Sequence, residues 1–121
     1  MPAKTKNEAM KRFLLSIFFT LSFFVSKAAV YAWTGLGLDG LWSNSLNWLP
    51  ISVPGPGDDV ILDNSFDPLS YTVTLPVGAV TVSVNTLTIT PLLGNNINLI
   101  LPLLNTADPG LEITAAGDAL V

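Results

Sequence analysis

The chain is expected to fold as an all-β, coiled solenoid, and three observations carry that expectation. After residue 32 the helix formers nearly vanish: there is no Lys, Arg, Gln or Met and one Glu, while Val, Ile, Thr and Leu run between frequent Pro and Gly. Apolar residues alternate with a period of two in "YTVTL", where Tyr71, Val73 and Leu75 share a face, and in "INLIL", where Ile97, Leu99 and Leu101 do. In "VTVSVNTLTIT" Val80, Val82 and Val84 share one parity, but Leu87 and Ile89 fall on the other. One flat strand cannot bury both sets on one side, so a corner or bulge is expected at Asn85-Thr86, with Asn tolerating a left-handed bend there. Strand, tight corner, strand is how a solenoid turns within a rung.

Short repeats agree with this. "LTIT" at 87–90 returns as "LEIT" at 111–114, and "TVTLP" ending at Pro76 returns as "NLILP" ending at Pro102, spacings of 24 and 26 residues that suit solenoid rungs. About three rungs are expected. The chain ends in "GDALV", an apolar stretch without a polar cap, so the solenoid is expected to continue beyond it. The alternative is a small closed β-sandwich of about seven short strands.

Taken in order, the chain opens with an export signal. Lys4, Lys6, Lys11 and Arg12 form a basic n-region, and the run from Phe13 to Ser26 is uncharged and apolar, shorter than the ~20 residues of a membrane-spanning helix. Val30-Tyr31-Ala32 offers small residues at −3 and −1, which places cleavage after Ala32, with Ala28 the second choice. The expected organisation is therefore a signal peptide over 1–32, an N-terminal cap region over 33–57, and the first rungs over 58–121. No stable membrane span is expected, and the partners implied are the export machinery, then glycans or cell-surface proteins.

Cleavage deepens the negative charge, which is −4 over the whole chain. The chain has no Lys, Arg or His after Lys27, so the 89 residues from Trp33 onward carry a formal charge of −8. Nucleic acid is excluded as a partner, because nothing there neutralises phosphate. The absence of Cys and His excludes disulfides and soft-metal sites, leaving a hard, oxygen-ligated cation such as calcium as the one metal these side chains suit.

"GLGLDG" at 35–40 has the spacing G-x-G-x-x-G, yet it lacks the preceding strand and following helix that present a pyrophosphate to backbone N–H groups; a glycine-rich loop is expected. Trp33, Trp42 and Trp48 lie within sixteen residues. They read as a cover for the open end of a β core, with sugar stacking on Trp42 and Trp48 and a partner interface as the alternatives.

Asp58 and Asp59 follow the turn "VPGPG". Neighbours on an extended segment point to opposite faces, so they cannot act as an acid and base pair on one substrate. A β-helix lyase needs a base, and none follows Lys27, so no catalytic residue is expected. Asp58, Asp59, Asp63, Asn64 and Asp67 do put five oxygen side chains into ten residues, enough for a calcium site, though without EF-hand spacing. The competing reading makes them turn and cap groups, with Val60-Ile61-Leu62 entering the core.

Trp33, Thr34, Gly35, Trp42, Ser43, Asn47, Trp48, Val53, Pro54, Gly55, Gly57, Asp58, Asp59 and Val60 form a pattern W-T-G…W-S…N-W…V-P-G-x-G-D-D-V. It resembles the N-terminal opening of large secreted or surface bacterial proteins, adhesin-like or autotransporter-like, many from Bacteroidetes-type bacteria with a C-terminal sorting domain. The resemblance implies a right-handed parallel β-helix beginning with a cap. It implies no catalytic residue and no cofactor. The expected role is a secreted or cell-surface β-helix segment serving structure or adhesion. The alternative is the N-terminal part of a secreted polysaccharide-degrading β-helix enzyme whose active site lies outside this chain, and a third is a calcium-stabilised binding module.

Overall fold

The computed structural model describes residues 7–11 and 28–115. The apolar run assigned to the export signal, and the terminal "GDALV", lie outside the described residues. Residues 7–11 form a short exposed helix; the rest is strand, turn and one 3-10 turn at Ser45–Asn47.

Eight strands build the body: β1 Val30–Trp33, β2 Trp48–Leu49, β3 Asp59–Asp63, β4 Tyr71–Thr74, β5 Val82–Val84, β6 Thr86–Thr90, β7 Ile97–Ile100 and β8 Leu111–Ile113. They stack as a β-solenoid. β3, β4 and β5 form one turn and β6, β7 and β8 the next, with β6 parallel on β3, β7 on β4 and β8 on β5. β1 lies parallel on the other side of β3, and Leu41 makes an isolated parallel bridge to Thr74, so a partial turn precedes β3. Only β2 runs antiparallel, at the edge beside β1.

Residues facing one another across turns are 26 to 29 apart, as in Tyr71 with Ile97 and Val82 with Leu111. The repeat "TVTLP"/"NLILP" is therefore a true rung repeat, since Val73 pairs with Leu99. "LTIT" and "LEIT" are not stacked: the first is β6, lying on β3, and the second belongs to β8, lying on β5. Their likeness reflects two faces of the same turn.

Period-two alternation decides what is inside. In β3 Val60 and Leu62 are buried while Asp59, Ile61 and Asp63 are less so, and Ile61 thus leaves the core assigned to it. The inward residues stack in columns, Tyr31 on Val60 on Leu87, Leu62 on Ile89, Val73 on Leu99, Val84 on Ile113. Fully buried Val60, Leu62, Val73, Val84 and Leu87 each contribute about 1.5–3 kcal/mol.

The parity change falls at Asn85, between β5 and β6. Among the described non-glycine residues only Leu38 has positive φ, so Asn85 turns this corner without a left-handed backbone. Its side chain instead donates to Asp59 Oδ1 of the preceding turn at 2.8 Å. Val80 and Leu101, expected inside by parity, are exposed, because each lies in a loop flanking a strand and not in the strand itself.

The boundary expected at residue 32 falls inside a strand. β1 spans it, and Tyr31 and Ala32 pair with Val60 and Ile61 as full members of the sheet. Since β1 separates β2 from β3, a domain beginning at Trp33 would lose the strand that joins them.

Candidate functional site

The residues singled out by sequence gather at the β1–β2 end of the solenoid. "GLGLDG" is a loop that wraps an amide hub. Asn47 is fully buried; its Nδ2 donates to Asp39 Oδ1 at 2.8 Å and to Leu41 O at 3.0 Å, and its Oδ1 accepts from Gly37 N–H at 2.7 Å. A Cβ on Gly37 would stand 2.5 Å from the Asn44 amide nitrogen, which is why glycine is needed there. Asp39 also accepts from Leu41 N–H and from Asn44 Nδ2. These bonds, the Leu41 N–H foremost, hold its carboxyl below the usual aspartate range. Leu38 stands at the tip of this loop with φ 60°, 92% exposed.

Beneath the loop sits an aromatic wall. Trp42 and Trp48 pack edge to face with centroids 4.8 Å apart, Trp33 and Trp48 likewise at 5.0 Å, and Trp33 stacks on Tyr71 at 6.1 Å. Trp48 Nε1 donates to Trp42 O at 2.8 Å, so the buried indole N–H is satisfied. All three tryptophans are 1% exposed. Trp42 and Trp48, the expected glycan contacts, are thus packed into this wall, Trp42 with an edge on a neighbouring hollow.

The Asp58–Asp67 ribbon is spread out and not convergent. Asp58 accepts from Gly55 N–H at 2.9 Å and from Ala29 N–H at 3.2 Å, closing the turn in which Gly57 takes a φ of 88°. Asp59 accepts from Asn85 Nδ2 and Thr86 Oγ1 of the following turn. Asp63 binds the Ser65 N–H and hydroxyl, and Asp67 accepts the Leu69 N–H. Asn64 donates to Asp67 O and Leu69 O and accepts from Leu92 N–H. Asp58 thus bonds back to its own turn and to Ala29, and Asp59 forward to the following turn.

The calcium set Asp58, Asp59, Asp63, Asn64 and Asp67 is not assembled into one site: among the described residues no three acidic side chains come together as metal ligands. The reason is chemical. Each carboxylate bonds locally to N–H or hydroxyl donors of its own turn or the adjacent rung. Tyr71, behind this ribbon, donates its hydroxyl to Asp63 O at 2.8 Å. Burial, with the nearby Asp63 and Asp67 carboxylates, pushes its phenol well above the ordinary tyrosine range.

Two hollows flank the wall. One, of about 290 Å³, runs between Trp42, the Val53–Pro56 turn and Val80–Ser83, and is largely apolar. The other, of about 250 Å³, lies among Trp33, Leu38, Asp67, Tyr71 and Thr72. Neither places two carboxylates face to face. Among the described residues no helix is long and apolar enough to cross a membrane.

The sequence named Asn64 as a calcium ligand and Asn85 as a corner residue, but it marked no asparagine as a group that binds successive turns together. Besides Asn64 and Asn85, Asn95 Nδ2 donates to Pro68 O, and Asn105 Nδ2 donates to Pro76 O and Val80 O. Their only signal was abundance of Asn in loops, which turns share generally. Comparison of the chain with protein-family models, with curated proteins and with solved structures finds no match.

Proposed function

We propose that this is an exported, surface-exposed β-solenoid segment with a structural or adhesive role, the aromatic wall under the Asn47 loop serving as its N-terminal cap. The observation that carries the reading is the use made of the acidic groups. Asp39, Asp58, Asp59, Asp63, Asp67 and Glu112 all accept hydrogen bonds that fix turns or join rungs. Carboxylates so engaged stabilise a scaffold, and no lysine, arginine or histidine follows Lys27 to complete an acid–base pair. The resemblance of the "W-S…N-W…V-P-G-x-G-D-D-V" pattern to secreted bacterial β-helix proteins supports the same reading.

An acidic scaffold with exposed leucines such as Leu93, Leu103 and Leu104 suits contact with proteins or neutral glycans. The test is fractionation of bacteria producing the full chain, together with adhesion of the recovered protein, coated on beads, to glycan- and protein-bearing surfaces. Export with retention of beads is expected. Residence in the cytoplasm would overturn the export reading, and release of sugar products from a polysaccharide would overturn the non-catalytic one.

A further inference from the structure

We infer that the export signal is removed between Ala28 and Ala29, and that the ammonium group so created binds the Asp58 carboxylate as a built-in clamp on the first complete rung. The inference rests on the proposed export of the chain. Ser26 and Ala28 supply small residues at −3 and −1, so the site meets the same requirement as the one after Ala32. What separates the two is the folded product. Cleavage after Ala32 removes three of the four residues of β1, including Tyr31, 9% exposed and stacked on Val60. Cleavage after Ala28 leaves β1 whole and cuts where the chain leaves the sheet, since Ala28 is exposed and Ala29 is half-buried against the core.

The nitrogen of Ala29 is already seated. It lies 3.2 Å from Asp58 Oδ1, while Ala29 O accepts from Asp59 N–H at 2.8 Å and Asp58 Oδ2 accepts from Gly55 N–H. The export peptidase hydrolyses the Ala28–Ala29 bond: water gives its hydroxyl to the Ala28 carbonyl carbon and a proton to the departing nitrogen, which takes up a second proton from solvent. A peptide N–H donor to a carboxylate then becomes a charged donor at the same place, a shorter and stronger bond. Because no Lys, Arg or His occurs between Lys27 and Val121, this ammonium is the sole cation among residues 29–121, beside eight acidic side chains. Processing thereby locks β1 onto the turn that opens β3.

Intact mass and N-terminal sequencing of the protein recovered after export from cells producing the full chain are the first test. A chain beginning at Ala29 is expected. A chain beginning at Trp33 would overturn the inference while leaving export intact, and an uncut chain held in the cytoplasm would overturn both. The second test uses the product of residues 1–121, in which the only amine from Ala29 onward is the new α-amino group, so acetic anhydride at neutral pH neutralises that charge alone while sparing an N–H donor. Acetylation is expected to lower the Tm of the exported wild-type protein by about 4 °C, and to leave that of exported Asp58→Asn unchanged. If Asp58→Asn is not recovered folded, the wild-type shift decides, in 20 mM and in 1 M salt: a drop that shrinks with salt supports the clamp, and no drop refutes it.

Discussion

Replacing Asn47 by alanine tests the organisation of the candidate cap more sharply than any change at the tryptophans. The amide is fully buried and makes three hydrogen bonds: to the Asp39 carboxylate, to Leu41 O, and from Gly37 N–H. Two neutral bonds at about 1 kcal/mol each and one to a charged acceptor at about 1.5–3 kcal/mol give a loss of about 3.5–5 kcal/mol. Against the 5–15 kcal/mol typical of a folded domain, that is a large share. The assay is urea denaturation of the exported protein followed by tryptophan fluorescence, since Trp33 and Trp42 flank the loop in sequence. A second readout is the titration of Asp39, held low partly by Asn47 Nδ2, which should rise toward 3.8 in the variant. Loss of less than about 1 kcal/mol, with Asp39 unmoved, would refute the hub, because the three bonds of the buried amide are together worth more than that.

Further outcomes follow from the same geometry. Trp42→Ala should cost about 3–5 kcal/mol, measured by thermal unfolding, since the indole is buried in the aromatic wall; an unchanged Tm with lost glycan binding would instead make it a contact residue. Millimolar calcium should leave the Tm unchanged, because Asp58, Asp59, Asp63, Asn64 and Asp67 do not converge, and a rise of several degrees would contradict that. Tyr71 has its phenol pKa raised by burial and by Asp63 and Asp67, so the unfolded chain ionises first as pH passes about 10. Its contribution is therefore full below that pH and lost above it, a decline in Tm that Tyr71→Phe should lessen.

The solenoid was legible because its signals are local and repeated. Val82-Ser83-Val84 and Leu87 stand on opposite parities only if a corner separates them, and a corner is there at Asn85. "TVTLP" and "NLILP" carry the true rung spacing because both are the second face of successive turns. Parity misled at Val80 and Leu101 because the strands are two to five residues long, and a pattern extended past a strand's end has no face to refer to. The aspartates were legible as turn groups, since Asp after Pro-Gly is local chemistry. The roles of Asn47, Asn64 and Asn105 were not: Asn64 reaches Leu92 N–H and Asn105 reaches Pro76 O and Val80 O across turns that only the coiling brings near, while Asn47 reaches Gly37, Asp39 and Leu41 through a loop shape that no local pattern marks.

"AAVYAW" shows why two readings of one stretch need the structure to choose between them. Small residues at Ala28 and Ala32 satisfy a peptidase, and alternation from Val30 to Trp33 satisfies a strand; the two demands use different atoms and do not conflict until a bond is chosen. On the proposed export, the peptidase would meet the chain unfolded and read side-chain size near the cut. Folding then imposes the second criterion, since β1 must bridge β2 and β3 and bring Tyr31 over Val60. A cut that satisfied the first demand and not the second would release a chain whose β3 edge lacks a partner, with unpaired N–H and C=O groups open to other chains. Of the two bonds, Ala28–Ala29 alone meets both, and it alone places the new charge beside Asp58.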